Sequence, residues 1–208
     1  MGLFSSIVKQ IILPSISLVL IGILLNAMTQ FPSGDSLLAW WFQYTVDSEH
    51  GEVTLRGIRD EVIIRRDALG IPVIEAQNRE DLAFAIGFVM AHDRLEQMVG
   101  FTLTAQGRLA EMAGPVALDI DVYLRTLGLR RVSEQQYAQL SKETKHYLEQ
   151  FSNGVNSYLD THRDRLPAGL RMARYDPEPW TPLNSVDLLT LVNLSLSLNL
   201  HEEISILN

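Results

Sequence analysis

The sequence contains no cysteine. That excludes a disulfide framework, a thiolate metal site and a cysteine nucleophile, and it leaves the compartment open. Positive charge is scarce too. Seventeen Lys and Arg against 25 Asp and Glu leave a formal net charge of −8, without a basic cluster, so no nucleic-acid partner is expected. The five histidines, His50, His92, His146, His162 and His201, form no HExxH or other close ligand pair. A Gly-x-Ser-x-Gly elbow, a phosphate-binding glycine loop and a dinucleotide fingerprint are all missing. Carboxylate pairs such as Asp119 with Asp121 fit a solvated face better than acid–base work. His92 and Asp93 are neighbours, so on a helix they should point about 100° apart and form no dyad. There is no internal repeat and no low-complexity tract. Taken alone, these residues show no catalytic apparatus.

What is present begins with an apolar leader. Ile11–Met28 carries no formal charge, with Lys9 before it and Asp35 as the next charged residue. That run is just long enough to cross a bilayer, for which about 17–25 residues are needed. The flanking charge puts the N-terminus inside and the remainder outside. Residues 1–30 are therefore expected to be a signal anchor or a signal peptide, with a buried soluble helix as the remaining alternative. A cut after Ala27 would leave Leu25 where a small residue is preferred, which favours the anchor. The chain is expected to be exported, periplasmic or extracytoplasmic, and held at the membrane through residues 11–28. Residues 31–50 read as a juxtamembrane connector, with Pro32, Ser33 and Gly34 breaking the helix and Trp40-Trp41 suited to an interface or to packing.

From Gly51 to Ala76 the pattern becomes that of short strands. Val53 and Leu55 alternate with polar residues, as do Val62 and Ile64, and Gly70-Ile71-Pro72 turns the chain before Val73-Ile74. Helical spacing follows. Asn78 is placed to cap a helix, with Asp81 able to reach back to the cap. Leu82, Ile86, Val89, Leu95, Met98 and Thr102 keep the period, and Gly107 is a stop. Ser133 with Gln136 has the form of a second capping box, and Ser141 of a third cap. The Ser141 cap precedes a stripe made by Thr144, Tyr147, Leu148, Phe151, Val155, Tyr158 and Leu159. Pro167 and Pro177-Glu178-Pro179-Trp180 mark extended connections. Val186–Leu200 is apolar on nearly every side, as a helix within a larger core would be. Early strands with none later make an incomplete domain, since an isolated hairpin is marginal in water.

One order of motifs runs through residues 51–208. It starts with Arg66-Asp67, Gly70-Ile71-Pro72 and Asp81-Leu82-Ala83-Phe84-Ala85-Ile86-Gly87. Ala91-His92-Asp93-Arg94-Leu95 with Gln97-Met98 and Gly107-Arg108-Leu109-Ala110-Glu111 come next. Asp119 with Asp121, Arg125 with Leu127-Gly128, Gly154-Val155-Asn156, Leu166-Pro167 and Pro177-Glu178-Pro179-Trp180 complete it. In this order the chain resembles the small-subunit region of the penicillin acylase family of N-terminal-nucleophile amidohydrolases. Val73 stands where a His is usual and His92 where a Gln is common, and the basic residues usual after the Gln-Met motif are absent, with Phe101 and Thr102 nearby.

The resemblance implies an α+β fold: the mostly helical small-subunit part of a four-layer αββα hydrolase, with a few N-terminal strands. It implies a precursor whose large subunit is the partner and carries the nucleophilic serine at its new N-terminus, so no catalytic residue is expected in this chain. The small subunit of the family gives one carboxylate to a calcium ion; the matching region offers Glu202 and Glu203, of which Glu203 fits the register better. The segment before it lines part of the acyl pocket, with Leu196 and Ser197 as substrate-binding candidates that suit an aliphatic chain better than a phenyl ring. No organic cofactor is implied. Asp93-Arg94 is expected to be a structural ion pair and Trp180 a core anchor. The function implied is hydrolysis of an N-acyl amide such as a β-lactam or an acyl-homoserine lactone. The alternative is a catalytically inactive, membrane-tethered helical binding module.

Overall fold

The computed structural model describes residues 55–197. The expected leader, the connector, Val53 and Glu203 lie outside them. The chain opens with an antiparallel hairpin, β1 (Val62–Arg66) and β2 (Pro72–Ala76), in which Val62 faces Ala76 and Ile64 faces Ile74. Its turn is set by side-chain chemistry. Asp67 Oδ1 accepts from the N–H groups of Leu69 (2.9 Å) and Ile71 (2.8 Å), and Gly70 takes a left-handed φ of 77°. Pro72 starts β2, a position where the missing N–H breaks no central ladder. Leu55 precedes the hairpin and belongs to no strand.

Helix α1 spans Arg79–Gln106 and is the longest of the described helices. Asn78 caps it by accepting from the Asp81 N–H at 2.8 Å, as its sequence predicts. The Asp81 side chain reaches past the cap backbone: its oxygens accept from the backbone N–H groups of Arg59 (3.0 Å) and Asp60 (2.9 Å) and from the Asn78 amide (2.7 Å). At the far end Gly107 is left-handed (φ 64°). Its N–H goes to the Thr104 carbonyl and that of Arg108 to the Leu103 carbonyl, the paired bonds of a Schellman stop. Only Arg94 departs from helical geometry inside α1, with φ −142° and ψ 17°.

The remaining helices are α2 (Ala110–Ala113), α3 (Leu118–Leu127), α4 (Leu129–Gln139), α5 (Lys142–Thr161), α6 (Ala168–Ala173) and α7 (Pro182–Leu196), with 3₁₀ turns at Pro115–Ala117 and Arg163–Arg165. Ser141 caps α5 through the Thr144 N–H at 3.0 Å. The expected Ser133–Gln136 capping box is not one. The left-handed Gly128 ends α3 and lets α4 begin at once, so Ser133 falls in its second turn. There its buried hydroxyl bonds the Leu129 carbonyl (3.2 Å) and Thr190 Oγ1 (2.9 Å) instead.

Helices α1 and α5 make the main packing of the described residues. They touch backbone to backbone at two glycines. A Cβ on Gly87 would land on the Phe151 carbonyl, and one on Gly154 on the Phe84 carbonyl. Around that crossing lies the core: Leu95, Met98, Val99 and Leu103 of α1, Val155, Tyr158 and Leu159 of α5, then Leu166, Leu170 and Trp180. Trp180 is 6% exposed, the core anchor its motif predicts. The described chain is thus mostly helical with one two-stranded sheet. None of its described helices is long and apolar enough to cross a membrane.

Candidate functional site

The motif residues pair with one another across the chain. Arg66, from the end of β1, forks onto Asp93 of α1, with Nη1–Oδ2 at 3.0 Å and Nη2–Oδ1 at 2.6 Å, and also donates to the Gly70 carbonyl. Arg94 is exposed and makes no ion pair among the described residues, so the expected Asp93-Arg94 pair is replaced by Arg66–Asp93. His92 Nδ1 lies 2.8 Å from Asp93 Oδ1 and 3.3 Å from Arg66 Nη2. The two neighbours therefore do meet, contrary to the helical expectation. The arginine fork draws both side chains to one point, immediately before the non-helical Arg94. Since the Asp93 carboxylate only accepts, its short contact with His92 puts the proton on Nδ1, donating to Asp93; Arg66 Nη2, also a donor, then gives its hydrogen bond to Asp93 and not to His92. Burial pushes the Asp93 carboxyl up, but the hydrogen bonds from Arg66 and His92 outweigh it and hold the group below its ordinary range.

A second knot ties α1's end to the Pro-x-Pro-Trp segment. Arg108 forks onto Glu111 (2.7 and 2.8 Å) and Glu178 (3.1 and 2.9 Å), and it reaches Gln106 Oε1 at 3.1 Å. Those bonds raise the guanidinium's pKa further and lower that of Glu178. Asp121, 6% exposed, accepts from the N–H groups of Leu109 and Ala110, both at 2.8 Å, and so anchors the first turn of α2. Asn156 brackets Trp180, giving its amide to the Trp180 carbonyl (2.9 Å) and accepting from its N–H (2.6 Å). Between these knots is a cavity of about 30 Å³ bordered by Thr102, Gln106, Arg108, Tyr175 and Asn184. It is of a size for one or two waters. The arrangement positions elements and offers no nucleophile paired with a base.

Helix α7 carries the expected substrate residues. Leu196, in its last turn, is 78% exposed, and Ser197 closes the helix with its hydroxyl on the Asn193 carbonyl at 2.7 Å. Both lie on the surface of the described chain, beside Leu189 and Val192, which are 60% and 44% exposed. The helix expected to be buried all round is thus covered on one side only. Its covered side is Val186, Asp187 and Thr190. Asp187 is fully buried; its Oδ2 accepts from Arg130 Nη1 (2.6 Å) and Gln106 Nε2 (2.9 Å), while Oδ1 has no partner among the described residues. Sequence reasoning missed Asp187 and its partners, although a lone carboxylate inside an apolar run is a signal, because burial obliges it to find a cation. Among the described residues no three His, Asp or Glu are grouped so as to hold a metal.

The penicillin amidase family model matches residues 61–208. An acyl-homoserine lactone acylase QuiP from Pseudomonas putida is 45% identical over 166 residues, covering 80% of this chain and 20% of that protein. The penicillin acylase 2 proenzyme of a Pseudomonas species is 35% identical over 144 residues, covering 69% of this chain and 18% of the proenzyme. Among solved structures, a thermostable penicillin G acylase from Alcaligenes faecalis aligns with a TM-score of 0.56 at 28% identity, covering 62% of this chain and 69% of that one. The chain thus spans about one fifth of the length of such curated relatives.

Proposed function

Because this chain belongs to the penicillin amidase family, we propose that it is the small-subunit region of an exported amide hydrolase that cleaves N-acyl compounds. The observation that carries the reading is the family match over residues 61–208, joined to relatives of which this chain spans about one fifth. The reacting groups then belong to the large subunit of the same precursor. Its N-terminal serine attacks the amide carbon while its own α-amine takes the hydroxyl proton. The carbon–nitrogen bond breaks, the amine leaves with that proton, and water hydrolyses the acyl-serine ester. Donors on the large subunit hold the oxyanion. In this reading the hairpin and helices form the small-subunit part of a four-layer αββα fold, and residues 11–28 direct export.

An acyl-homoserine lactone is the substrate we favour. The support is the greater identity to the lactone acylase, 45% against 35% for the penicillin acylase proenzyme, and the aliphatic character of the α7 surface. On this reading Leu196 and Ser197, with Leu189 and Val192 beside them, contribute to the wall against which an aliphatic acyl chain lies. Glu203 supplies one carboxylate to a calcium ion. The donor is of the right kind for a hard cation but is one of the six to eight oxygens such an ion takes. In this reading the ion ties segments of the assembled protein together, and no chemical step is routed through it.

The test is the purified product of the complete gene. Intact-mass analysis should find two chains, the larger beginning with serine. The enzyme should release homoserine lactone from long-chain N-acyl substrates faster than it cleaves phenylacetyl amides. A single unprocessed chain without turnover on either substrate would refute the proposal and favour an inactive binding module.

A further inference from the structure

We infer that Asp187 and Arg130 are positioning residues that fix the rotation and register of α7, and through it the acyl-chain preference of the wall it carries; this rests on the functional reading above. The observation behind it is that the most deeply buried face of α7 is largely polar, with Leu188 only partly buried beside it. Two of its three buried residues are polar, Asp187 and Thr190, whereas Leu189, Val192 and Leu196 are exposed. Apolar contact is non-directional and would let a helix slide or roll. Hydrogen bonds to buried groups do not.

The polar anchors sit three residues apart, hence on one face. Asp187 Oδ2 takes Arg130 Nη1 from α4 at 2.6 Å and Gln106 Nε2 from α1 at 2.9 Å. Arg130 is braced by Glu134 at 3.2 Å. The Thr190 hydroxyl meets Ser133 Oγ at 2.9 Å and Gln136 Oε1 at 3.2 Å, both on α4. Advancing α7 by one residue would turn this face by about 100° and strand a buried carboxylate. Leu196 lies about 13 Å further along the axis and on the opposite side, so any roll at Asp187 is transmitted to it as a rigid rotation.

Stability alone does not account for the arrangement. Asp187 Oδ1 is buried without a partner among the described residues, and an orphaned acceptor is destabilising. A buried carboxylate with an unsatisfied oxygen, paired to a partly exposed guanidinium, is no better than an apolar pair of similar volume. What the ion pair provides and an apolar pair lacks is a single permitted register.

The experiment uses the complete precursor and compares wild type with Asp187→Asn, Thr190→Val and the apolar double variant Asp187→Leu with Arg130→Met. The quantity read is the ratio of kcat/KM for long-chain over short-chain N-acyl homoserine lactones, alongside the melting temperature and the crystallographic orientation of α7. Asp187→Asn should change the ratio about tenfold, the scale at which pocket walls discriminate chain length. Thr190→Val, which removes one hydroxyl and is the milder substitution should Asp187→Asn fail to mature, should change it in the same direction. The double variant should recover the melting temperature but keep the altered ratio, with α7 rolled. A wild-type ratio in the variants that mature, or an unmoved α7 in the double variant, overturns the inference. A wild-type precursor inactive on every acyl amide defeats the functional reading instead, and the orientation of α7 still decides this one.

Discussion

At the scale of single residues, the motif positions that identify the family are joints. Gly87 and Gly154 are there because two helix backbones touch, and no side chain fits between them and the facing carbonyls. Gly154→Ala should therefore lower stability by about 1–3 kcal/mol, the usual cost of overpacking, or more if the helices cannot separate. Thermal unfolding of the mature protein measures it, and an unchanged midpoint would contradict the close contact. Arg66 holds Asp93 and the turn carbonyl of Gly70 at once. Arg66→Ala should cost about 1.5–3 kcal/mol, as loss of hydrogen bonds to a charged group does. Arg94→Ala should stay within about 0.5 kcal/mol, as exposed substitutions do. The same midpoints check both, and a larger loss at Arg94 would reverse the assignment of Asp93's partner.

The carboxylates at these joints give the protein an acid limit. Asp93 and Glu178 both have folded pKa values lowered, net, by their arginine partners, and Asp81 by backbone N–H groups and Asn78. A lowered folded pKa means stability that is complete above the unfolded value and lost as pH falls through the folded one. Stability should thus fall below about pH 4, near the unfolded carboxylate values. Asp93→Asn should be less stable at neutral pH and show a shallower fall in acid. Denaturant midpoints measured across that range would expose the error if the slope were unaltered.

At the scale of elements, local turn chemistry was the legible part. Asn78, Ser141 and Gly107 act through bonds within a few residues of themselves, so a single sequence reveals them. The stripe from Thr144 to Leu159 likewise follows from period, and its Val155, Tyr158 and Leu159 are buried, whereas Thr144, in the first turn beside the Ser141 cap, is exposed. Ser133 misled because a Ser-x-x-Gln spacing does not say whether a helix has already begun; Gly128, five residues earlier, decided that. The contact of His92 with Asp93 was illegible for another reason. It depends on Arg66, which the fold delivers from another element. Of the candidate site, Leu196 and Ser197 came only from register with a family, and Asp187 went unnoticed within an apolar run. Gly107 offers a test at this scale. A Cβ there would meet a left-handed backbone and lie 2.8 Å from the Asp121 carbonyl. Gly107→Ala should destabilise by at least about 1–2 kcal/mol, the cost of a left-handed Cβ. An alanine tolerated without loss would mean the stop is not as tight as described.

At the scale of the whole molecule, the described residues leave much apolar surface uncovered. Leu69, Ile71 and Val73 of the hairpin and Leu189 and Leu196 of α7 are all more than half exposed. The hairpin already packs against α1, and these exposed residues are the surface that the proposed large subunit would cover. Calcium at Glu203 would then bind the assembled protein more tightly than its unfolded chains and stabilise it by mass action. Glu203→Ala should abolish the dependence of the melting temperature on calcium, and Glu202→Ala should leave it. Metal analysis of the mature enzyme that finds no calcium would end that assignment.

The most direct measurement sets the 208-residue chain against the complete precursor on the same N-acyl homoserine lactone, following released homoserine lactone. The account predicts turnover by the precursor and none by the chain alone, because the proposed reading assigns the serine with a free amine to the large subunit. Turnover by the isolated chain, abolished by a substitution within it, would contradict the account.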